Sequence, residues 1–213
     1  MKTISNIDNN STKNNAENSC VMTMTTIKSG KMTILMAGSG TVAIDWGDGS
    51  KIKTYRLGVY VKNWLDRDNS QKFAYHHNYS GSSFRTITIT GKNITDLNCR
   101  KNQLTNLDVS NNSNLRELYC DNNQLTNLDV SKNTLLTKLN CSNNQLKSLD
   151  VSKNAAMIYL NCRLNQLTCS ALNALFEKLH DNRVEKSIRY TSNNPETDSC
   201  NWNIAMDKGW GIC

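Results

Sequence analysis

The sequence predicts a mainly β fold with a small α cap, in which a solenoid of parallel strands wound in flat, narrow coils follows an antiparallel β module. Three observations carry the prediction. Asn makes up 32 of the 213 residues, against one Pro and 10 Gly, and many of these Asn recur at a fixed period, which marks a repeat architecture and not low complexity. Cys99, Cys120, Cys141 and Cys162 stand 21 residues apart. Residues 20–93 alternate apolar and polar side chains with period two, broken by Ser-Gly and Gly-Asp-Gly turns, the pattern of antiparallel strands.

Residues 1–19 are polar, Asn-rich and without an apolar run. They read as a disordered arm and lack the h-region of a secretory leader. The chain is therefore expected to be cytoplasmic, or extracellular or at the cell surface if a leader was removed ahead of Met1.

Residues 20–93 form the β module. Within it, Asp45-Trp46-Gly47-Asp48-Gly49-Ser50 resembles the WGDG-type motif of PKD domains, small β-sandwiches common in secreted bacterial proteins, and Asn78-Tyr79-Ser80-Gly81 before FRTITITG resembles their closing strands. The resemblance implies an antiparallel β-sandwich in which Trp46 packs between the sheets and Asp-Gly makes a hairpin turn; the stretch RLGVYVKNWLDRDNSQKFAYHHN is unlike that family. Asp45 and Asp48 are expected to bond turn N–H groups in preference to a cation. His76 and His77 face opposite sides of an extended chain and so do not chelate one ion. Tyr55, Arg56, Tyr60, Lys62, Trp64 and Arg67 divide between core and a contact patch.

Residues 94–167 are the repeat. Aligned on Cys, the rows are ITDLNCRKNQLTNLDVSNNSN from Ile94, LRELYCDNNQLTNLDVSKNTL from Leu115, LTKLNCSNNQLKSLDVSKNAA from Leu136 and MIYLNCRLNQLT from Met157. Leu118, Cys120 and Leu125 and their equivalents alternate around a short strand that then turns, so each row is one coil. Asn102, Asn123, Asn144 and Asn165 sit at the bend, where a side-chain amide can satisfy backbone groups of its own coil and the next; Asn112, Asn133 and Asn154 take the corresponding place in the second half-coil. The four equally spaced Cys have no neighbouring His or second Cys and fill an inward slot as small hydrophobes, so no metal site is expected. The unit LxxLxCxxN resembles the conserved segment of leucine-rich repeats, and the second half, LTNLDVSNN, LTNLDVSKN and LKSLDVSKN, repeats the same grammar. Over about 73 residues the resemblance is to the nested 21-residue type of Bacteroidetes cell-surface proteins, which allows strands on both sides of a flat leucine-rich repeat solenoid.

Residues 168–213 are read as the cap. Ser170 is placed to N-cap a helix whose Leu172, Leu175, Phe176 and Leu179 share the face that seals the open end. VEKSIRYTSNN reads as a last strand and turn. PETDSCNWNIAMDKGW resembles the ending of the same Bacteroidetes proteins, which makes Cys200 and Trp210 capping parts. With three full rows and a partial fourth, close to the ~3 that such arrays need, the solenoid is expected to rely on both the front module and the cap. The pairing of Cys20, Cys169, Cys200 and Cys213 stays open.

Function is expected on the solenoid surface. The columns facing outward on the first side are Asp96, Glu117, Lys138, Tyr159; then Asn98, Tyr119, Asn140, Asn161; then Arg100, Asp121, Ser142, Arg163. From these, Asp96, Glu117, Tyr119, Lys138, Asn140, Tyr159 and Arg163 are the candidate ligand-binding residues. Asp108, Asp129 and Asp150 on the second side form a further candidate set, stacked beside Ser110, Ser131 and Ser152, and their mutual repulsion requires Lys132 and Lys153, hydroxyl bonds or a cation. Net charge is +7, with 12 basic and 6 acidic residues in 1–93, 8 and 6 in 94–166, and 5 and 6 in 167–213. That spread without a basic cluster argues against nucleic acid. No segment is apolar enough to span a membrane. The three His, the Ser in repeat slots and the buried Cys assemble no nucleophile with a base and no paired carboxylates in a cleft. The expectation is a non-catalytic, cofactor-free, monomeric recognition or adhesion module for a protein or carbohydrate at the bacterial cell surface; the alternative is an intracellular partner-binding effector or regulator.

Overall fold

The computed structural model describes residues 20–58, 74–182, 185–189, 194–195 and 197–212. The arm at 1–19, Tyr60, Lys62, Trp64, Arg67 and Cys213 lie outside them. The front module supplies β1 (Val21–Thr26), β2 (Gly30–Gly38), β3 (Thr41–Asp45), β4 (Lys53–Arg56), β5 (Ala74–Tyr79) and β6 (Arg85–Gly91). Alternation turns Met22, Met24, Met32, Ile34, Met36, Val42, Ile44, Ile87 and Ile89 inward, all fully buried, and leaves Thr23, Thr25, Thr88 and Thr90 at the surface. Trp46 is buried and its carbonyl accepts the Tyr79 hydroxyl at 2.7 Å. Gly47 follows it at φ 72, where a Cβ would stand 2.3 Å from the Thr86 carbonyl oxygen, so the turn can approach β6 only as glycine. Asp45 and Asp48 accept the backbone N–H of Gly47 and Ser50 at 2.9 and 3.1 Å. Asp48 also meets His77 Nε2 at 2.6 Å, and the His77 ring stacks on Trp46 at 5.1 Å. His76 points the other way, to Thr33 Oγ1 at 2.9 Å.

The coils begin with β7 (Ile94–Asn98) and β8 (Leu104–Asp108), followed by β9 (Glu117–Tyr119), β10 (Lys138–Asn140) and β11 (Tyr159–Asn161). The cap adds α1 (Cys169–Lys178), β12 (Lys186–Arg189), a 3-10 turn at Thr197–Ser199, α2 (Asn203–Asp207) and β13 (Trp210–Ile212). The chain is thus mainly β, with two helices and two sheets among the described residues. One sheet has the order β4-β3-β6-β1-β8 with every pair antiparallel. The other runs β13-β12-β11-β10-β9-β7-β2-β5, parallel from β13 to β7 and antiparallel from β7 through β2 to β5. The two halves of the first coil are therefore shared out: β7 pairs with β2 and β8 with β1. Neither sheet is interrupted at residue 93, because the front strands cover the backbone edges that a first coil would otherwise expose. One hydrophobic cluster accordingly runs from Met22 to Trp210.

Within the stack the coils are in register, Glu117 opposite Lys138 opposite Tyr159 opposite Ser187. The bend amides hold them so. Asn123 Oδ1 accepts the N–H of Asn102 and Leu104 at 3.0 Å each, while its Nδ2 donates to the Cys99 and Cys120 carbonyls at 3.2 and 2.9 Å. Asn144 repeats this with Leu125 N, Cys120 O and Cys141 O, and Asn165 with Leu146 N, Cys141 O and Cys162 O, all at 3.0 Å. The tight bend also needs a left-handed residue at the same place in each coil: Asn122 and Asn143 supply it at φ 58 and 52, whereas Lys101 and Leu164 take it at 57 and 56, and the first coil has a second at Gln103, φ 52, a conformation that costs a side chain with Cβ about 1 kcal/mol.

Two expectations are corrected. The helix is capped by Thr168, not Ser170: Thr168 is extended at φ −68, ψ 167 and its side chain accepts from Ala171 N at 3.3 Å, which starts the helix one residue ahead of Ser170. Strands do not form on both sides of every coil. β8 is a strand because β1 pairs with it, but the equivalent residues 125–129 and 146–150 have no such partner among the described residues and accept one backbone bond per coil from the following turn, Gln145 N to Leu125 O and Gln166 N to Leu146 O. The cap itself rests on two lysines. Lys186, 4% exposed, donates to the carbonyls of Asn182 and Lys208 at 2.6 and 2.7 Å and lies 5.6 Å over the Trp210 ring; burial lowers its pKa. Lys208 donates to the Glu177 and Leu179 carbonyls at the end of α1, groups the helix leaves without partners.

Three outcomes follow from these contacts. Lys101→Asn puts the favoured residue at a left-handed position and should raise stability by about 0.5–1 kcal/mol, read from urea unfolding. Asn194→Ala removes the acceptor of Asn165 N and Leu167 N and the donor to Cys162 O. Orphaning buried groups at roughly 1–3 kcal/mol each, it should cost about 3 kcal/mol or more in the same assay. Asp48, held at about 2 by hydrogen bonds from Ser50 and then by His77, stabilises the fold above its ordinary carboxylate range and loses that contribution as pH falls through about 2. Thermal melts of Asp48→Asn should therefore lie below the parent at neutral pH and converge with it on acidification.

Candidate functional site

The first side of the coils is a continuous strip of the mixed sheet. Its middle row crosses Ala37, Asp96, Glu117, Lys138, Tyr159, Ser187 and Gly211, and the adjacent row crosses Leu35, Asn98, Tyr119, Asn140, Asn161 and Arg189. Five of the seven sequence candidates make one connected group. Glu117 pairs with Lys138 at 2.8 Å and accepts the Tyr119 hydroxyl at 3.2 Å. Asp96 lies next to Glu117 in the row and takes a 2.5 Å bond from its neighbour Thr95 Oγ1. Burial raises the Asp96 pKa, and the Glu117 charge adds to this against the Thr95 bond. Burial, followed by Glu117, pushes the Tyr119 phenol up as well. Tyr159 follows Lys138 in the row, half-exposed. Arg163 is exposed one turn away and Asn140 has a separate task.

That task corrects the expectation that all three columns face solvent. Asn98, Asn161, Asp121 and Ser142 are buried. The Asn of the second column fold back on their own chain, Asn98 Oδ1 accepting Arg100 N at 3.3 Å, Asn161 Oδ1 Arg163 N at 3.4 Å, and Asn140 Oδ1 both Ser142 N and Ser142 Oγ at 3.2 and 2.8 Å. Such short Asx bonds close the strand into the bend. Asn140 Nδ2 then donates at 3.0 Å to Asp121, whose other oxygen accepts Asn122 Nδ2 at 2.5 Å. Tyr119 is the one member of this column without an amide, and its hydroxyl donates to Glu117 instead.

On the second side Asp108, Asp129 and Asp150 are exposed, and each accepts the N–H of the Ser two residues on, at 2.9, 2.8 and 2.9 Å. Asp150 also pairs with Lys178 of α1 at 2.8 Å. The bonds from Ser131 lower the Asp129 pKa, and Lys178 followed by Ser152 brings Asp150 to about 2. Backbone N–H groups and one cap lysine thus offset the repulsion. No group of three or more His, Cys, Asp or Glu among the described residues is placed to hold a metal ion.

The inner column of thiols is sealed. Cys99, Cys120, Cys141 and Cys162 are fully buried, and burial pushes their pKa up, to about 12 for Cys162, so the thiolate that would act as nucleophile is suppressed. His180 Nε2 meets the Met157 carbonyl at 2.6 Å. Cys20 and Cys169 carry free thiols, Cys200 is buried, and Cys213 lies outside the described residues. Sequence reasoning missed Asn194, Lys186 and Lys208. Asn194 is a further rung of the bend ladder, but it stands 29 residues after Asn165 and not 21, so periodicity does not reveal it; an Asn just before the single Pro was the available signal.

No protein-family model and no curated protein matches the chain. Among solved structures, one described as the functional domain of InlJ from Listeria monocytogenes, which includes a cysteine ladder, is similar to it at 28% identity with a TM-score of 0.41. The similarity covers 55% of this chain and spans 30% of the length of that one.

Proposed function

We propose that the chain is a non-catalytic recognition module: a leucine-rich repeat solenoid of the nested 21-residue type, carried behind a PKD-like β-sandwich, that binds a protein or glycan through the first side of its coils at the bacterial cell surface. The observation that supports it most is the row Asp96, Glu117, Lys138 and Tyr159, where one backbone geometry is repeated in register and the half-buried outward side chain differs at each step. Side chains on such a frame lose little freedom on binding. The row joins carboxylates, an ammonium and, with Tyr119, two phenols, a mixture suited to polar partners and to sugar hydroxyls. It has no large apolar patch of the kind an obligate interface buries.

Its test is a glycan array and a pull-down with the intact chain. A ligand found there should lose tenfold or more in affinity, about 1.4 kcal/mol, when Lys138→Glu and Arg163→Glu are combined. The melting temperature should stay close to the parent's, since a surface pair such as Glu117 and Lys138 contributes about 0.2–1 kcal/mol. Unchanged binding would remove the first side from consideration, and an exclusively cytosolic pool on cell fractionation would sink the surface assignment.

A further inference from the structure

Three turns leave the same end of the front module. Thr26 stands opposite Arg85, Asp45 opposite Thr88 and Gly30 opposite Tyr79, so the connections at 27–29, 46–52 and 80–84 come together there. The first bend of the coils joins them, because Thr26 Oγ1 donates to the Asn102 carbonyl at 2.6 Å and Lys28 Nζ to the Lys101 carbonyl at 2.5 Å. These turns carry Phe84, 76% exposed, and Ile52, 55% exposed, the most open large apolar side chains among the described residues. One exposed apolar residue alone needs no explanation. Here the turn that bears Phe84 is braced on every side. Arg85 donates to the carbonyls of Gly81, Ser83 and Lys28 at 2.8, 3.1 and 3.4 Å, and its guanidinium lies 4.4 Å over the Tyr79 ring, whose hydroxyl bonds the Trp46 carbonyl. The aromatic ring is thus held out in water by a turn that has little freedom to fold it back.

Charge at this end is one-sided. Lys31, Lys51, Lys53, Arg100 and Lys101 are exposed, and none takes part in an ion pair among the described residues. The two carboxylates nearby are already engaged, Asp45 by Gly47 N and Asp48 by Ser50 N and His77. Cations are therefore open to a partner and anions are not. Water solvates those cations in the free chain, but it gives Phe84 and Ile52 nothing. A partner that suits the whole end must present anionic groups at the rim and hydrocarbon in the middle, and an anionic bilayer presents both. A nucleic acid or an acidic glycan meets only the first requirement, since the aliphatic Ile52 has no ring face on which a base could stack.

We propose that this end of the front module docks on an anionic lipid bilayer, with Phe84 and Ile52 at the boundary of headgroups and acyl chains and Lys31, Lys51, Lys53, Arg100 and Lys101 on the headgroup phosphates. The contact is peripheral and weakens as salt screens the cations. It does not rest on the role of the coil face, none of whose candidate residues lies in these turns.

The experiment is co-sedimentation of the full chain with vesicles of phosphatidylcholine alone and of phosphatidylcholine and phosphatidylglycerol in equal parts, with a single-stranded oligonucleotide and heparin as soluble polyanions in parallel. The mixed vesicles should bind the chain and the neutral ones at least about tenfold more weakly. Phe84→Ser, at an exposed position, should weaken binding to the mixed vesicles about tenfold at the parent's melting temperature. Lys51→Glu combined with Lys53→Glu should remove most of the preference for mixed over neutral vesicles. Depth is read with Phe84→Trp, for which lipids brominated in the acyl chain should quench fluorescence beyond the quenching seen in the parent. Failure to sediment with the mixed vesicles would overturn the proposal, as would equal binding to neutral vesicles, binding that survives Phe84→Ser, no added quenching with Phe84→Trp, or a soluble polyanion bound more tightly than the mixed vesicles.

Discussion

The rest of the structure depends on how a tightly bent backbone keeps its polar groups bonded away from water. A flat coil bends too sharply at 99–104 and its equivalents for strand pairing to continue through, and each bend would orphan carbonyls and N–H groups that cost about 1–3 kcal/mol apiece when buried. The Asn side chain solves this because it is short, carries both a donor and an acceptor, and can reach two coils at once. That leaves the two ends, where one neighbour is missing. At the front, Asn102 Nδ2 donates to the Thr33 carbonyl at 2.7 Å and its Oδ1 accepts Thr33 N at 3.3 Å, so β2 stands in for a preceding coil. At the back, Asn194 stands in for a following one. Front module and cap are therefore parts of one hydrogen-bonded column and not decorations at its ends.

The two sides of the coil differ in how completely this device is used. On the first side both ends of each amide are bonded. On the second, Asn133 Nδ2 donates to Val109 O and Asn112 O, and Asn154 Nδ2 to Val130 O and Asn133 O, yet Oδ1 of Asn112, Asn133 and Asn154 has no partner among the described residues. The second side correspondingly lacks strands beyond β8. The regular face, on which side chains are held at fixed spacing, is the one whose bends are fully satisfied.

Much of this was legible in the sequence, and the limit of legibility has a physical form. Positions that repeat because the scaffold demands them, such as Cys120, Asn123 and Leu125, announce themselves by period. Lys186 and Asn194 do the same kind of work once only, in a segment with no internal repeat, so nothing in the spacing singles them out. The outward columns depart from simple alternation for a related reason. Alternation tells which way a strand residue points, but Asn98 and Asn161 are outward by alternation and buried because their amides turn back to the following N–H. Ser170 has the residue type of a cap, but the helix starts one residue ahead of it.

In a stack where each coil touches only its neighbours, a substitution on the outward row changes little beyond the adjoining coils. Asp96, Glu117, Lys138 and Tyr159 can therefore diverge without disturbing the ladder beneath them, which is the property a recognition surface requires. The same independence is absent where chain order and space part company: at the start of the first coil, Asn93 serves both the β2 turn, through its carbonyl, and the far end of that coil, through Asn114. It also adopts a left-handed φ of 59, a conformation that Asn tolerates better than most side chains. A position under that many constraints is expected to tolerate few replacements for reasons of folding alone, in contrast to the outward row.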